Sequence, residues 1–256
     1  MTMPPQPALR VGVYVDAFNV YYGARSQCGR GLPGWRWLDL IGLSEQLATS
    51  RFAHPTRVAT LKYCTALREK DGDASSARDQ ATYLNALRVD QRVTVELGQY
   101  NVKTGKGVLV APSSARRRRF ARVVSPGADA LPTWLAAEET IGPEGDMNLF
   151  VHYSSFEEKG SDVNVAAHLL SDIFRQQVDA AIVLSNDGDL RLPLQIARGH
   201  VPVGLVNPTQ RPLSQMLKGQ PGDGVGGHWW LRLQPDDYFA HQFSDPLGGF
   251  DKPAGW

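Results

Sequence analysis

Two almost uninterrupted apolar runs constrain the fold of this chain more than any other feature. The first is Val11-Gly-Val-Tyr-Val-Asp16, and the second is Ala180-Ala-Ile-Val-Leu-Ser-Asn-Asp187. Runs this apolar are typical of strands covered on both faces, as in the parallel sheet of an α/β protein. Similar strand patterns alternate with helical patterns along much of the chain. The sequence therefore predicts a mostly parallel central sheet with right-handed crossovers and flanking helices.

Four aspartates stand where predicted strands end or a predicted helix begins: Asp16, Asp162, Asp187 and Asp189. If the first strand lies beside the strand that ends at Ser185, all four approach one edge of the sheet, where open α/β sheets bind ligands. Like charges in one crevice repel unless a cation lies among them, and hard oxygen ligands suit Mg²⁺ or Mn²⁺. These residues predict a metal-dependent enzyme acting on phosphate esters.

Composition sets the broad class of protein. The chain has 256 residues with 42% hydrophobic and 21% charged residues, and its net charge of +1 gives no overall attraction to nucleic acid or membrane. Its two cysteines, Cys28 and Cys64, form no metal-binding or CxxC spacing, so neither structural zinc nor a disulfide framework is expected. The sequence shows no signal peptide and no apolar run near the ~20 residues that span a bilayer. We expect a cytoplasmic protein without a membrane partner.

The alternating pattern is interrupted once and then ends. Residues 1–8 are expected to be disordered, and residues 9–207 form one α/β domain. Between about 101 and 158, turn signals replace helical periodicity, which predicts a β-rich insertion. Its short strands are expected at 108–111, 120–124 and 149–153. Residues 208–256 are rich in glycine and proline and are predicted to be a C-terminal extension whose last dozen residues form a tail.

Three motifs in order carry a family resemblance. They are Val13-Tyr-Val-Asp16-Ala-Phe-Asn19, Glu158-Lys-Gly-Ser-Asp162-Val and Leu184-Ser-Asn-Asp187-Gly-Asp189-Leu. Together they resemble the NYN domain of LabA-like proteins, which belong to the PIN-like nuclease superfamily. The resemblance covers about residues 10–207 without the insertion. It departs from the family pattern at Ala17, where glycine is usual, and at Leu190, where an aromatic residue is usual.

The resemblance implies a PIN-like, Rossmann-like fold and a metal-dependent ribonuclease. In that interpretation the four aspartates hold one or two Mg²⁺ or Mn²⁺ ions, which lower the pKa of a bound water and stabilise charge on the scissile phosphate. Asn19 would orient Asp16 or a metal-bound water. Ser185 and Asn186 would donate to carboxylates or phosphate oxygens. The implied substrate is RNA.

Several basic and aromatic residues are candidates for substrate contact. The predicted phosphate-binding residues are Arg116, Arg117, Arg118, Arg119, Lys159 and Arg191. The basic run has the alternative of being a solvated face. The pairs Trp35 with Trp37 and Trp229 with Trp230 are expected to pack in the core or a lid, with base stacking as the alternative.

Other interpretations stay open at this point. Taken singly, each aspartate has the alternative of capping a turn or helix. A non-catalytic RNA-binding or regulatory module, a toxin-like nuclease held by a protein partner, and a homo-oligomer are all compatible with the motifs. A haloacid-dehalogenase-like phosphatase is disfavoured because Phe18 stands where a second aspartate is needed. A dinucleotide-binding oxidoreductase is disfavoured because no glycine-rich turn follows the first strand.

Overall fold

A computed structural model describes residues 7–67, 74–112, 120–122, 137–141 and 147–256. It divides into two compact units: Met1–Gln99 with Glu158–Trp256, and Tyr100–Glu157. The strands are β1 (Leu9–Asp16), β2 (Thr56–Thr65), β3 (Val93–Leu97), β4 (Gln99–Val108), β5 (Val110–Pro112), β6 (Phe120–Arg122), β7 (Ala137–Ile141), β8 (Met147–Lys159), β9 (Ala180–Leu184), β10 (Val203–Asn207) and β11 (Trp229–Arg232). The helices are α1 (Ala17–Cys28), α2 (Leu40–Arg51), α3 (Ala74–Leu87), α4 (Ser161–Phe174), α5 (Arg191–Arg198), α6 (Gln215–Lys218) and α7 (Pro235–Ala240).

The larger unit is built on a six-stranded sheet in the order β11-β10-β9-β1-β2-β3. Every neighbouring pair in this sheet is parallel. The strand β1 pairs with β9, with Val11 opposite Ala180 and Val15 opposite Leu184. The predicted α/β class and the predicted pairing of these two strands are confirmed. The winding of the chain reverses between β1 and β9, which makes their carboxyl ends the switch point of the fold.

The two apolar runs are buried on both faces, as their composition predicts. In β1, Val11, Val13 and Val15 face one apolar cluster, which includes residues of α1, α2 and α3. Tyr14 faces a second cluster, which includes residues of α4 and α5. All five residues of β9 are fully buried. Covering both faces of the sheet fixes the helices that follow each strand, and so fixes what lies at the carboxyl edge.

The helix α1 is an element that the sequence patterns do not predict. It contains aromatic residues and Gly23, which are weak helix formers. Its first turn forms because the Asp16 carboxylate accepts the backbone N–H of Asn19 at 3.1 Å. Gly23 lets the helix approach the chain after β10, since a Cβ there would collide with the Pro208 carbonyl oxygen. Tertiary packing rather than helical propensity sets this element.

The C-terminal segment belongs to the core of the larger unit. The strand β11 extends the sheet beside β10, with Gly204 opposite Trp229. In α7, Tyr238 is fully buried and donates to the Pro208 carbonyl oxygen at 2.7 Å. Trp256 packs against the Tyr83 ring with a centroid distance of 5.9 Å. The segment expected to be an extension with a tail therefore contributes a strand, a helix and core contacts.

The smaller unit is β-rich, as predicted. The strands β4, β8 and β7 form one sheet in that order, and β5 pairs with β6 in another. The pairs β5–β6 and β7–β8 are antiparallel. The predicted phosphate-binding residues Arg116, Arg117, Arg118 and Arg119 lie outside the described residues. In the described ranges, no helix is both long and apolar enough to cross a lipid bilayer.

A buried histidine fastens the loop before β11 to the sheet. The Nδ1 atom of His228 accepts the backbone N–H of Val203 at 3.0 Å. Its Nε2 atom lies 2.6 Å from the Asp223 carbonyl oxygen, to which it donates a proton. This pair of contacts requires the neutral ring with its proton on Nε2. Burial lowers the pKa of His228 below the ordinary value of a histidine.

Acidification is expected to destabilise the protein through His228. Because the unfolded state takes up this proton more readily, the contribution of His228 is complete above the ordinary pKa of about 6.5 and is lost as the pH falls below it. Urea unfolding of the wild type and of His228→Gln, at about pH 8 and about pH 5, checks this. The wild type should lose more stability on acidification than the variant. The exposed His54→Gln serves as control, and equal losses for wild type and His228→Gln would contradict the assignment.

Candidate functional site

Asp16, at the end of β1, is the centre of a buried hydrogen-bond network. Its Oδ1 accepts the backbone N–H of Asn19 at 3.1 Å, and its Oδ2 accepts the Asn19 Nδ2 at 2.9 Å and the Ser185 hydroxyl at 2.9 Å. The residue is 5% exposed. Asn19 in turn accepts the backbone N–H of Asn186 at 3.2 Å. The network ties β1 to the end of β9 across the switch point.

Burial dominates the electrostatics of this carboxyl group. Desolvation raises the pKa of Asp16, the hydrogen bonds from Asn19 and Ser185 oppose this rise, and the nearby Asp187 adds to it. The pKa of the neighbouring Tyr63, near the end of β2, is also raised. Burial first and the charge of Asp16 second raise the pKa of its hydroxyl well above the usual value. The Tyr63 hydroxyl therefore keeps its proton at physiological pH and can donate a hydrogen bond.

The structure does not assemble the predicted metal site. Asp187 accepts the backbone N–H of Asp189 at 3.1 Å and caps the short turn Gly188–Leu190, while Asp189 is exposed. Asp162 lies in the first turn of α4, whose N-cap is Gly160. All four aspartates are among the described residues, and no group of three or more His, Cys, Asp or Glu side chains there could hold a metal ion.

The predicted Mg²⁺ or Mn²⁺ cofactor is thus wrong, and the reason is local. The carboxylate oxygens of Asp16 already accept three hydrogen bonds from Asn19 and Ser185, so they are committed to holding the α1 N-terminus. Asp16 and Asp187 instead act as N-caps, which was the alternative interpretation for each aspartate. Asp16 caps α1, and Asp187 caps the 3₁₀ turn Gly188–Leu190. A shared position at one sheet edge did not bring four free carboxylates together.

The remaining predicted site residues lie at the same sheet edge or beside it. Ser185 is fully buried and accepts the Asp187 N–H at 3.1 Å. The Asn186 side chain donates to Thr209 and accepts the Ser214 N–H, which joins two loops. Lys159 ends β8 and Arg191 begins α5, both with exposed side chains. Catalytic or substrate-binding roles for these residues stay predictions.

A cavity of about 340 Å³ lies next to this network, at the carboxyl ends of β1 and β2. Its walls come from α1, the segment before α2, the end of β2, one side of α3 from Ser75 to Tyr83, and Trp256. Aromatic residues are the largest group in its described lining. The aromatic lining residues are Phe18, Tyr21, Tyr22, Trp35, Tyr63, Tyr83 and Trp256.

The cavity lining also includes polar residues, among them Thr65, Ser75, Ser76 and Gln80. The Tyr83 hydroxyl donates to the Leu38 carbonyl oxygen at 2.8 Å, and the Trp35 Nε1 donates to the Gly29 carbonyl oxygen at 3.2 Å, so both are occupied within the protein. The charged lining residues are Arg25, Arg30, Arg36 and Asp79. Three guanidinium groups and one carboxylate give the lining side chains of the described residues a formal charge of +2.

Sequence reasoning missed this cavity. Core or lid packing was expected for Trp35 and Trp37, and both side chains are buried, at 2% and 0% exposed. Trp35 also forms part of the cavity wall. The adjacent aromatic residues Tyr21 and Tyr22 were a usable signal, because they follow closely after the first predicted strand.

No protein-family model matches the chain. The chain is 31% identical, over 219 residues, to 6-hydroxy-3-succinoylpyridine 3-monooxygenase HspA of Pseudomonas putida. The alignment covers 78% of this chain and 60% of that protein, so this chain spans less than two thirds of its relative. A crystal structure of a protein of unknown function from Vibrio parahaemolyticus is also similar, with a TM-score of 0.45 and 18% identity, covering 92% of this chain and 98% of that one.

The relative overturns the functional prediction made from the motifs. Its name is that of a monooxygenase, which is an oxidoreductase, whereas the motifs led to a metal-dependent ribonuclease and hydrolase. The nuclease prediction, with the non-catalytic and toxin-like alternatives attached to it, is therefore wrong. The resemblance to the NYN domain, and RNA or a protein as partner, are not tested by these comparisons and stay predictions.

Proposed function

We propose that this protein is an oxidoreductase that attaches one oxygen atom of O₂ to a carbon atom of a small aromatic ring. One observation carries the proposal. A chain that is 31% identical to a monooxygenase named for a pyridine substrate has, at the carboxyl edge of its sheet, a cavity walled by seven aromatic side chains. Open α/β sheets bind ligands at this edge.

The cavity has the size and lining of a site for a single ring. Its volume of about 340 Å³ is near the lower end of the range for small-molecule sites, about 300–1,000 Å³. Trp35 is 2% exposed, and Tyr63 and Tyr83 are each 8% exposed, so the deep wall is apolar and shielded from water. A stacked or edge-to-face contact between two aromatic rings contributes about 0.5–1.5 kcal/mol of stabilisation in addition to the energy of burial. A planar ring is therefore the ligand that this wall favours.

The reaction class fixes what must be supplied. In the relative's name the oxygenated position is ring carbon 3, which already carries the succinoyl group, so a hydroxyl group there requires that the bond from carbon 3 to the acyl carbon breaks. One oxygen atom of O₂ is inserted into that bond, the second is reduced to water, and hydrolysis of the resulting ester releases the hydroxylated ring and the side chain as a carboxylic acid. This consumes one O₂, two electrons and two protons, so a redox group and a reductant are required. When bound, such a group supplies the electrons and activates O₂.

The usual position of a dinucleotide cofactor does not fit this chain. In dinucleotide-binding folds the pyrophosphate lies on free backbone N–H groups at the start of the helix after β1. Here the Asp16 carboxylate occupies that end of α1 and accepts the Asn19 N–H, and its own charge would repel a phosphate.

The residues of the chain bind and orient the ring. The Tyr63 hydroxyl makes no side-chain hydrogen bond within the part of the chain that the structure describes, and Tyr63 lines the cavity. Since burial and the charge of Asp16 raise its pKa, it stays protonated. It can donate a hydrogen bond to an oxygen or nitrogen substituent of the ring and so fix which ring carbon faces the oxidant.

Product analysis tests the proposal. The protein is incubated with 6-hydroxy-3-succinoylpyridine, the compound in the relative's name, together with NADH, a flavin and air. We expect a ring product in which a hydroxyl group replaces the acyl side chain at carbon 3, formed only with protein, reductant and O₂ and unaffected by catalase. Tyr63→Phe should reduce turnover and lower regioselectivity. The absence of any O₂-dependent product from this ring and from simpler pyridines would refute the proposed function.

A further inference from the structure

We propose that the cavity takes an aromatic ring bearing a carboxylate, with the carboxylate bound by Arg25 and Arg30 at the cavity mouth. The inference rests on the proposed function in that it names the substrate class of the same site. Its test is equilibrium binding and does not require turnover.

The charge balance of the walls selects an anion. Among the described residues, the side chains that line the cavity include three arginines and one aspartate and no lysine, glutamate or histidine, so two of their positive charges have no carboxylate counterpart there. The protein as a whole has a net charge of only +1. The excess at the cavity is therefore a local feature. A cleft with low-dielectric walls and one sign of charge attracts the opposite charge.

Two of the three guanidinium groups are available to a ligand. The Arg36 side chain donates to the Gly255 carbonyl oxygen at 3.0 Å and the Arg30 carbonyl oxygen at 2.5 Å, and its guanidinium lies 4.8 Å from the Trp35 ring centroid. Within the described residues, the side chains of Arg25 and Arg30 make no ion pair with a carboxylate. Arg25 instead lies 6.0 Å from the Tyr22 ring centroid.

The two arginines have the chemistry and the position to bind a carboxylate. A planar guanidinium offers two parallel N–H donors that match the two oxygens of a carboxylate. Arg25 lies in the last turn of α1 and is half-buried, whereas Arg30 is exposed. Packing against Tyr22 restricts the Arg25 side chain, so less conformational entropy is lost on binding.

The difference in exposure between the two ends of the cavity determines the orientation of the ligand. The exposed Arg30 marks the solvent side of the cavity, and the buried Trp35, Tyr63 and Tyr83 form its interior. A carboxylate that stays near water avoids most of the desolvation cost, while the ring gains from burial against aromatic walls. The ligand therefore enters ring first, with its carboxylate at the mouth and its far ring edge towards Tyr63.

Calorimetric titration with nicotinate and nicotinamide tests this inference. The two probes share a pyridine ring and a similar size, and they differ in the charge of one substituent. We expect the wild type to bind nicotinate more tightly. Arg25→Gln combined with Arg30→Gln should weaken nicotinate binding roughly tenfold or more and leave nicotinamide binding within about twofold, given the strength of charge-assisted hydrogen bonds.

Two further variants sharpen the test. Asp79→Asn removes a negative charge from the described lining and should tighten nicotinate binding. Arg175→Gln, an exposed arginine after α4 that does not line the cavity, removes the same charge as the tested variants and should leave both affinities unchanged. If the double variant does not fold, the exposed Arg30→Gln alone carries the comparison.

The outcomes separate this inference from the proposed function. Equal affinity for the two probes, no binding of either, or nicotinate binding that is insensitive to Arg25 and Arg30 would overturn the carboxylate site. Arginine-dependent nicotinate binding without hydroxylation of any pyridine would leave the site standing and remove the proposed function. If a neutral pyridine is hydroxylated as efficiently as the corresponding carboxylate, the proposed function stands and the carboxylate site is overturned.

Discussion

Replacing Trp37 by alanine should lower the free energy of unfolding by about 3–5 kcal/mol, since deleting a buried aromatic side chain removes its burial energy and leaves a cavity. Trp37 is fully buried and packs against Tyr83, Phe243 and Trp256 at ring-centroid distances of 6.1, 5.8 and 6.4 Å. Its Nε1 donates to the Ser244 carbonyl oxygen at 3.1 Å. Against a typical total of about 5–15 kcal/mol, this loss is severe.

Urea unfolding measures the effect of the Trp37 substitution. Trp37→Phe keeps a ring in place and should cost clearly less. Leu32→Ala, at a side chain that is 58% exposed, should change stability by less than about 0.5 kcal/mol. Since Tyr83 and Trp256 also line the aromatic cavity, Trp37→Ala should weaken ligand binding as well. A Trp37→Ala protein as stable as the Leu32→Ala control would show that the C-terminal segment does not pack on the core as described.

Replacing Asp16 by alanine should cost about 2–4 kcal/mol. The substitution removes the N-cap of α1, a loss of about 0.5–2 kcal/mol, and leaves buried donors of Asn19 and Ser185 without an acceptor, about 1–3 kcal/mol each. Relief from burying the Asp16 carboxylate, whose pKa desolvation raises, offsets part of this. The helix α1 carries much of the cavity wall, so binding should weaken too.

Asp39 supplies a matched control for Asp16. It is the N-cap of α2 and accepts one backbone N–H, that of Gly42, at 2.9 Å. Asp39→Ala should therefore show the cost of a cap alone, and the extra loss in Asp16→Ala reports the buried network. Equal losses for the two variants would contradict the network. A thermal midpoint of the wild type that rises with Mn²⁺, and does not rise in Asp16→Asn, would contradict the account of Asp16 as a structural residue.

The sheet could be predicted from the sequence because burial on both faces leaves a direct trace. The runs at β1 and β9 are apolar throughout, and such runs pair at the centre of a parallel sheet. The helix α1 leaves no such trace, because Tyr21, Tyr22 and Gly23 have low helix propensity and only packing keeps them helical. The role of Trp256 is likewise invisible locally, since its partners Trp37 and Tyr83 lie far away in sequence.

The sequence predicts where the site lies in the fold, but it does not predict the chemistry of the site. Strand order and the aspartates locate the carboxyl edge of the sheet correctly, but they do not show which hydrogen bonds each carboxylate already makes. The donors of Asn19 and Ser185 occupy Asp16, and this depends on side-chain geometry that spacing does not encode. The cavity is assembled from α1, the end of β2 and α3 together with Trp256, so no single stretch of sequence contains its pattern.

The most direct test of the central claim is the fate of isotopically labelled dioxygen. The protein is supplied with 6-hydroxy-3-succinoylpyridine, a flavin, NADH and labelled O₂. The isotope content of the product is then measured by mass spectrometry. We expect one labelled oxygen atom in the hydroxylated ring, with product formation reduced in Tyr63→Phe and in Arg25→Gln combined with Arg30→Gln. A product whose new oxygen comes from water, or no hydroxylated product under any of these conditions, would contradict it.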